Sequence, residues 1–423
     1  MTRALSFLKS EFSKNVSLKL IALIISGVAS YLFYFIMARI LSVEDYGLLY
    51  SLIALTYIFT VPHETIRTVI ARYTVSLSSK GQFGKIKGLL LSSIKQILIY
   101  SIIIFFIFLL ASRLLMDILH AGFIPLLIIG SSLIVAFILP VIWGALQGMQ
   151  RFGHLGLNNS IETAVKLLIA VALVYIGFGI NGALIAIPVS MLIAFFIGIF
   201  PLRKVMKSKT EQFKFERHHL NYSLAAFVIF LFFVAIYSSD MLIARYFFSA
   251  KLSGLYSGIA VIGKAVLFGS MAITRVMFSF IAEKHSKGKG RDIYRATRKI
   301  LYNAGLYVLI LVGIILALSI FAPQIVINII LGYKYLEMAP LLKYMILTSG
   351  FLSLSALIIF YNLSINSSKR LTARILGTFL FIQIAVLIVF HQTVSQFIIV
   401  MLMVNALLFL AMLFTLLIQR RFR

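Results

Sequence analysis

The chain has 423 residues, of which 61% are hydrophobic and 12% charged, and its mean hydropathy is +1.06. Soluble domains carry about 45–50% apolar and about 25% charged residues, so this excess of apolar surface requires lipid as its solvent. The net charge of +27 would suggest nucleic acid in a soluble protein. In a polytopic chain it instead holds cytoplasmic loops on the inner face, and no nucleic-acid partner is expected. The absence of cysteine excludes disulfides, iron–sulfur clusters, thiolate zinc sites and a cysteine nucleophile.

In chain order, residues 1–16 come first. Leu5, Leu8, Phe12 and Val16 recur at helical spacing between Arg3, Lys9 and Lys14, which reads as an interfacial amphipathic segment or a frayed end. Twelve segments are then long and apolar enough to cross a bilayer, which takes about 20 residues. They lie near 17–39, 46–66, 89–111, 121–145, 157–177, 180–200, 221–244, 253–280, 300–322, 338–361, 371–391 and 394–418. Lipid offers no partner for unpaired backbone groups, so each must be a helix. The second is expected to continue past Pro62 with a kink there. Gly177, Gly179 and Gly182 mark a tight turn between the fifth and sixth. The first is too long for a cleavable signal peptide.

Basic residues set the orientation. With the N-terminus inside, the inner segments hold 30 Lys and Arg and the outer loops 5, so both termini are expected in the cytoplasm. Short motifs recur about half a chain apart: Ala38-Arg39 and Tyr50-Ser51 as Ala244-Arg245 and Tyr256-Ser257, Ser79-Lys80-Gly81 as Ser286-Lys287-Gly288, Pro125-Leu126-Leu127 as Pro340-Leu341-Leu342. The shared order implies a duplication. The expected fold is therefore an all-α polytopic membrane protein, with 12 transmembrane helices in two six-helix bundles around a central cavity. Its divisions are an interfacial segment 1–16, an N-terminal bundle 17–202, a basic cytoplasmic linker 203–219, a C-terminal bundle 220–418 and a basic tail 419–423.

Charge inside a span costs about 2.5–3.5 kcal/mol, so each instance needs a reason. His63, Glu64 and Arg67 form one patch after Pro62, either an inner-interface pair or a functional group. Glu162 and Lys166 are four residues apart, either a self-neutralised pair or part of a site. Asp240 is expected at the outer edge of its span, solvated or capping, and His391 at an interface. Lys264 falls near the midplane with no acid within a helical turn. It must face a wet cavity, an acid on another helix, with Glu162 and Asp240 the candidates, or an anionic ligand. No phosphate-binding G-x-x-x-x-G-K-[ST] loop, H-E-x-x-H or G-x-S-x-G motif is present, and no polar stretch is long enough for a soluble catalytic domain. No enzymatic activity and no cofactor are expected.

Two stretches go further. Ala38-Arg39-Ile40-Leu41-Ser42-Val43-Glu44-Asp45-Tyr46-Gly47 and Leu146-Gln147-Gly148-Met149-Gln150-Arg151-Phe152 resemble the polysaccharide-biosynthesis flippases of the multidrug/oligosaccharidyl-lipid/polysaccharide exporter superfamily. That family reads A-R-x-L-G-P-E-E-Y-G after its first span and L-Q-G-x-x-R-F between its fourth and fifth. The Gly-Pro of the first motif is Ser42-Val43 here, and residues 17–39 lack the carboxylate that some drug exporters carry in their first helix. The resemblance implies transfer of a polyprenyl-pyrophosphate-linked oligosaccharide from the inner to the outer leaflet by alternating access. Lys264, Arg67 and Lys166 would then hold the pyrophosphate. Glu64, Glu162 and Asp240 are the candidates for coupling to a proton or sodium gradient. Membrane lipid and glycan-assembly enzymes are the further partners implied, and a prokaryotic plasma (inner) membrane is the implied location. A multidrug or cation antiporter of the same fold is the alternative, and a membrane glycosyltransferase or polymerase stands behind it.

Overall fold

The helix Phe123–Gly148 (α6 below) is the hub of the N-terminal helices. A computed structural model describes residues 27, 30–213, 220–286, 291–365 and 368–421. Its helices are α1 (Ser30–Ile40), α2 (Val43–Thr56), α3 (Thr60–Ser78), α4 (Phe83–Leu110), α5 (Ser112–Leu119), α6, α7 (Phe152–Leu173), α8 (Gly179–Ile199) and α9 (Arg203–Lys207). After these come α10 (Leu220–Phe247), α11 (Ala250–Ser286), α12 (Arg291–Phe321), α13 (Pro323–Ile330), α14 (Leu342–Ser364), α15 (Lys369–Val389) and α16 (Val394–Arg421). No strand occurs among the described residues.

Ten stretches among the described residues are long and apolar enough to span a membrane, against twelve expected. Two facts account for the difference. The expected span 17–39 falls largely outside the described residues, leaving only α1. The fifth and sixth expected spans lie within one stretch, Phe152–Lys207. Inside it the backbone reverses at Gly177 (φ 103°) and Gly179 (φ 52°), a conformation side chains resist and glycine tolerates. The expected interfacial segment 1–16 lies outside the described residues, as do 214–219 of the linker and 422–423 of the tail.

The chain forms two compact units. One comprises 1–41 and 59–218, the other 42–58 and 219–423. The N-terminal bundle expected over 17–202 therefore differs in one element, since α2 packs with the C-terminal helices. The α2 segment ends at a 3-10 turn, Tyr57–Phe59, where the chain returns to the first unit. Pro62 sits in the first turn of α3, where its missing N–H costs no helical bond. The expected kink is thus a helix break just before the proline.

In the first unit, α6 packs against α3, α4 and α8, and α7 packs on α8. Ile70, Leu89, Ile142 and Leu146 centre its inner core. In the second unit, α14 has the matching role, packing on α11, α12 and α16, while α10 pairs with α15. The repeated Pro-Leu-Leu motif lies at the start of each hub, and each hub comes after a helix of eight residues, α5 or α13, with a 3-10 helix, Tyr333–Leu341, between α13 and α14. Large apolar side chains of α4 and α12, such as Ile99, Phe106, Leu309 and Ile314, stand exposed, as a lipid-facing surface requires.

The repeat also shows inside the second unit. The G-L-L-Y-S run of α2 starts at Gly47, and the G-L-Y-S run of α11 starts at Gly254. These corresponding glycines meet: a Cβ added to Gly47 would lie 2.7 Å from Gly254 Cα. Absence of a side chain on both helices is what lets the backbones approach this closely.

Candidate functional site

The six candidate residues fall into three ion pairs, two in the first unit and one in the second. Glu64 and Arg67 are both on α3, three residues apart, with Arg67 Nη1 3.3 Å from Glu64 Oε1. The Glu64 side chain is 56% exposed and that of Arg67 19%, so the acid is a solvated partner. Arg67 is held from a second side, because its Nε donates to Gln147 Oε1 on α6 at 3.0 Å. Gln147 is the glutamine of the L-Q-G motif.

Glu162 and Lys166 face each other along α7 at 3.6 Å. Ser190 and Thr163 hydroxyls lie 3.4 and 3.3 Å from the carboxylate, but both are closer to backbone carbonyls, Ile187 O and Asn159 O, at 2.9 Å. A hydroxyl has one hydrogen to give, so the lysine is the principal partner of Glu162. The Lys166 ammonium also lies over the Phe33 ring of α1, 5.6 Å from its centroid, a favourable cation–π distance.

The third pair is the most deeply buried. Lys264 on α11 and Asp240 on α10 are 6% and 2% exposed, with Lys264 Nζ donating to Asp240 Oδ1 at 3.0 Å. Tyr256 donates to the other carboxylate oxygen at 2.7 Å. The Tyr50 ring of α2 lies 5.5 Å from the ammonium. Thr348, Ser349 and Asn405 line a small cavity next to the pair. The expectation that Asp240 is solvated or a cap is corrected here. Helix α10 continues to Phe247, so Asp240 lies about two turns inside its end at 3.6 residues per turn. Of the three partners foreseen for Lys264, the structure supplies an acid on another helix.

Tyr256 and Tyr50, which the sequence assigns to no site, are the corresponding tyrosines of the repeated Tyr-Ser motif. Both converge on one ion pair. The halves are not equivalent in charge, for 206 residues before Asp240 and Lys264 stand Tyr34 and Ile58. No cluster of metal-ligating residues occurs among the described residues.

This architecture is that of known transporters. The chain is similar to a multidrug resistance MATE family transporter of the MOP superfamily in its inward-facing conformation, with TM-score 0.73, 14% identity and 94% of this chain and 97% of that one covered. It is similar to the lipid II flippase MurJ in an inward closed conformation, with TM-score 0.69, 16% identity and coverage of 94% and 87%. A mutant form of the Vibrio cholerae MATE transporter VcmN gives TM-score 0.64, 14% identity and coverage of 97% and 99%. At these identities the likeness is one of fold. No curated protein sequence matches the chain. A family model described as "Polysaccharide biosynthesis protein" matches residues 36–340. The chain belongs to that family, as the two motifs implied, and is a multi-pass membrane protein of the MATE and MurJ fold.

Proposed function

We propose that the protein is a flippase that carries a polyprenyl-pyrophosphate-linked oligosaccharide from the cytoplasmic to the outer leaflet by alternating access. The observation that carries this reading is the family match over residues 36–340 on a chain with the transporter fold. Chemistry supports it: a pyrophosphate is polyanionic, and Arg67 presents a guanidinium already oriented by Gln147, a fork suited to phosphate oxygens. Lys166 is a second candidate for the head group, and Lys264 a third whose charge is already matched by Asp240. Glu64, Glu162 and Asp240 remain the coupling candidates. In this reading the chain crosses the inner membrane twelve times with both termini in the cytoplasm, catalyses no covalent step, and works beside glycan-assembly enzymes.

The test is reconstitution in liposomes with a fluorescent polyprenyl-pyrophosphate glycan and an impermeant quencher. Transfer should make the inner-leaflet pool quenchable. The MATE likeness favours a second reading, export of drugs or cations. Gradient-driven export of a cationic dye without transfer of the glycan lipid would replace the first reading with the second.

A further inference from the structure

We infer that His63 is a positioning residue: it satisfies the carbonyl that Pro140 leaves free and thereby fixes α6 on α3, with Arg67 held in place for the head group. The head-group part rests on the flippase reading above.

The argument starts from proline chemistry. Pro140 lies inside α6 and has no N–H to bond the carbonyl of Ala136, four residues back. In a membrane a freed carbonyl has no water to turn to, so another donor must supply the bond. His63 Nδ1 stands 2.9 Å from Ala136 O. A carbonyl oxygen only accepts, so Nδ1 carries the hydrogen. Both the Nδ1–H neutral ring and the imidazolium keep that hydrogen, so the bond does not depend on the ring's charge.

The rest of the face is built around this contact. Ala136, Pro140, Trp143 and Gln147 are spaced four, three and four apart, which places them on one side of α6. The His63 ring meets Trp143 edge-on, centroids 5.5 Å apart at 70°. Trp143 Nε1 donates to Asn158 Oδ1 at 2.7 Å, and Asn158 Nδ2 donates to Ala194 O at 2.8 Å, tying α6 to α7 and α8. Gly144 and Gly148 let α6 lie against the α3 backbone. A Cβ on either would come within 2.6 Å of Arg67 O or 2.5 Å of Ala71 O. One turn along from His63, that close approach brings Gln147 within reach of Arg67. Loss of the His63 bond would free α6 to shift on α3, and Gln147 would move with it.

The test is a mutational rescue with two readouts, apparent melting temperature of the purified protein and transfer of the fluorescent glycan lipid. His63→Ala should lower the melting temperature and cut transfer. His63→Asn, whose amide N–H can occupy the place of Nδ1–H, should retain most of both. Pro140→Ala returns a backbone N–H to Ala136 O, so His63→Ala in that background should cost little more stability than Pro140→Ala alone. A His63→Ala loss that Pro140→Ala does not relieve overturns the inference, as does an unchanged melting temperature. Lowered stability with undiminished transfer also overturns it, because Arg67 would then not depend on the contact. Should the wild-type protein transfer no glycan lipid, the flippase reading falls by itself, while the stability cycle still decides whether His63 serves the Pro140 carbonyl.

Discussion

Lys264 Nζ lies 3.0 Å from Asp240 Oδ1 across the α10–α11 contact, with both side chains almost fully buried. The two stand 24 positions apart in sequence, and each neutralises a charge that lipid would otherwise penalise. Removing one partner strands the other. Lys264→Ala should therefore destabilise the protein by about 3–5 kcal/mol. Lys264→Met combined with Asp240→Asn removes both charges and leaves an oxygen for Tyr256, so it should recover most of the loss. Thermal unfolding of the purified variants decides: a double variant no more stable than Lys264→Ala would show that the pair is not what holds Lys264 in place.

Tyr256 adds a hydroxyl to the same carboxylate at 2.7 Å. Tyr256→Phe keeps the ring, which packs edge-on against Phe397, and removes only the donor. A hydrogen bond to a charged group contributes about 1.5–3 kcal/mol. The expected result is a loss of that size in wild type and a smaller one, about 0.5–1.5 kcal/mol, when Asp240 is already Asn and the bond is a neutral one. Equal losses in both backgrounds would mean that Tyr256 acts through packing.

Much of this arrangement is legible in the amino-acid sequence, for physical reasons that differ from residue to residue. Lipid dictates helices, and Glu64–Arg67 and Glu162–Lys166 follow from helical spacing because each pair shares one helix. The glycine turn at Gly177 and Gly179 is visible because other residues resist that backbone. Asp240–Lys264 is legible only as one of two options, since Glu162 and Asp240 are both candidate acids for Lys264 and nothing in a single sequence states which two helices touch. Asp240 reads as interfacial for a related reason: hydropathy ends the span near it, whereas the helix runs on to Phe247 and buries the carboxylate. The proline at 140 is visible, but its orphaned carbonyl meets a histidine 73 positions away, a relation only packing reveals. Likewise α2 reads as part of the first bundle by order along the chain, yet its glycine meets Gly254 in the second unit.

That glycine contact makes a sharp prediction. A Cβ at Gly47 would lie 2.7 Å from Gly254 Cα and 2.8 Å from Gly254 N, closer than atoms pack, and the obstacle is backbone that cannot swing aside. Gly47→Val should disrupt the α2–α11 packing and lower the melting temperature, whereas Gly153→Ala, which meets nothing within 4 Å, should not. A stable Gly47→Val variant that still binds and moves cargo would show that the two helices need not meet.

Orientation can be tested on the cysteine-free background of this chain. Lys209 and Lys284 are exposed and fall on inner segments, while Asp117 and Lys251 are exposed on outer ones. Single cysteines at 209 and 284 should react in intact cells only with membrane-permeant thiol reagents. Cysteines at 117 and 251 should react with impermeant ones. Labelling of position 209 from outside would reverse the topology and with it the direction of transport.

The last prediction separates what Glu64 and Arg67 each contribute. Their ion pair is solvated on the acid side, and such pairs are worth about 0–1 kcal/mol. Glu64→Gln should accordingly leave folded yield unchanged. Arg67→Gln should also fold, because Ala71, Ile70 and Thr74 continue to pack α3 against the hub glycines. The two should differ in transport. If Arg67 holds the pyrophosphate, Arg67→Gln loses transfer and Arg67→Lys, which keeps the charge but not the planar fork to Gln147, retains part of it. If Glu64 links transfer to an ion gradient, Glu64→Gln binds cargo yet no longer responds to the gradient. If it merely partners Arg67, the double variant is no worse than Arg67→Gln alone. Transfer rates with and without an imposed gradient, measured for all four proteins, assign each role. Near-normal transfer by Arg67→Gln would remove Arg67 from the head-group site and leave Lys166 as the remaining candidate of the first unit.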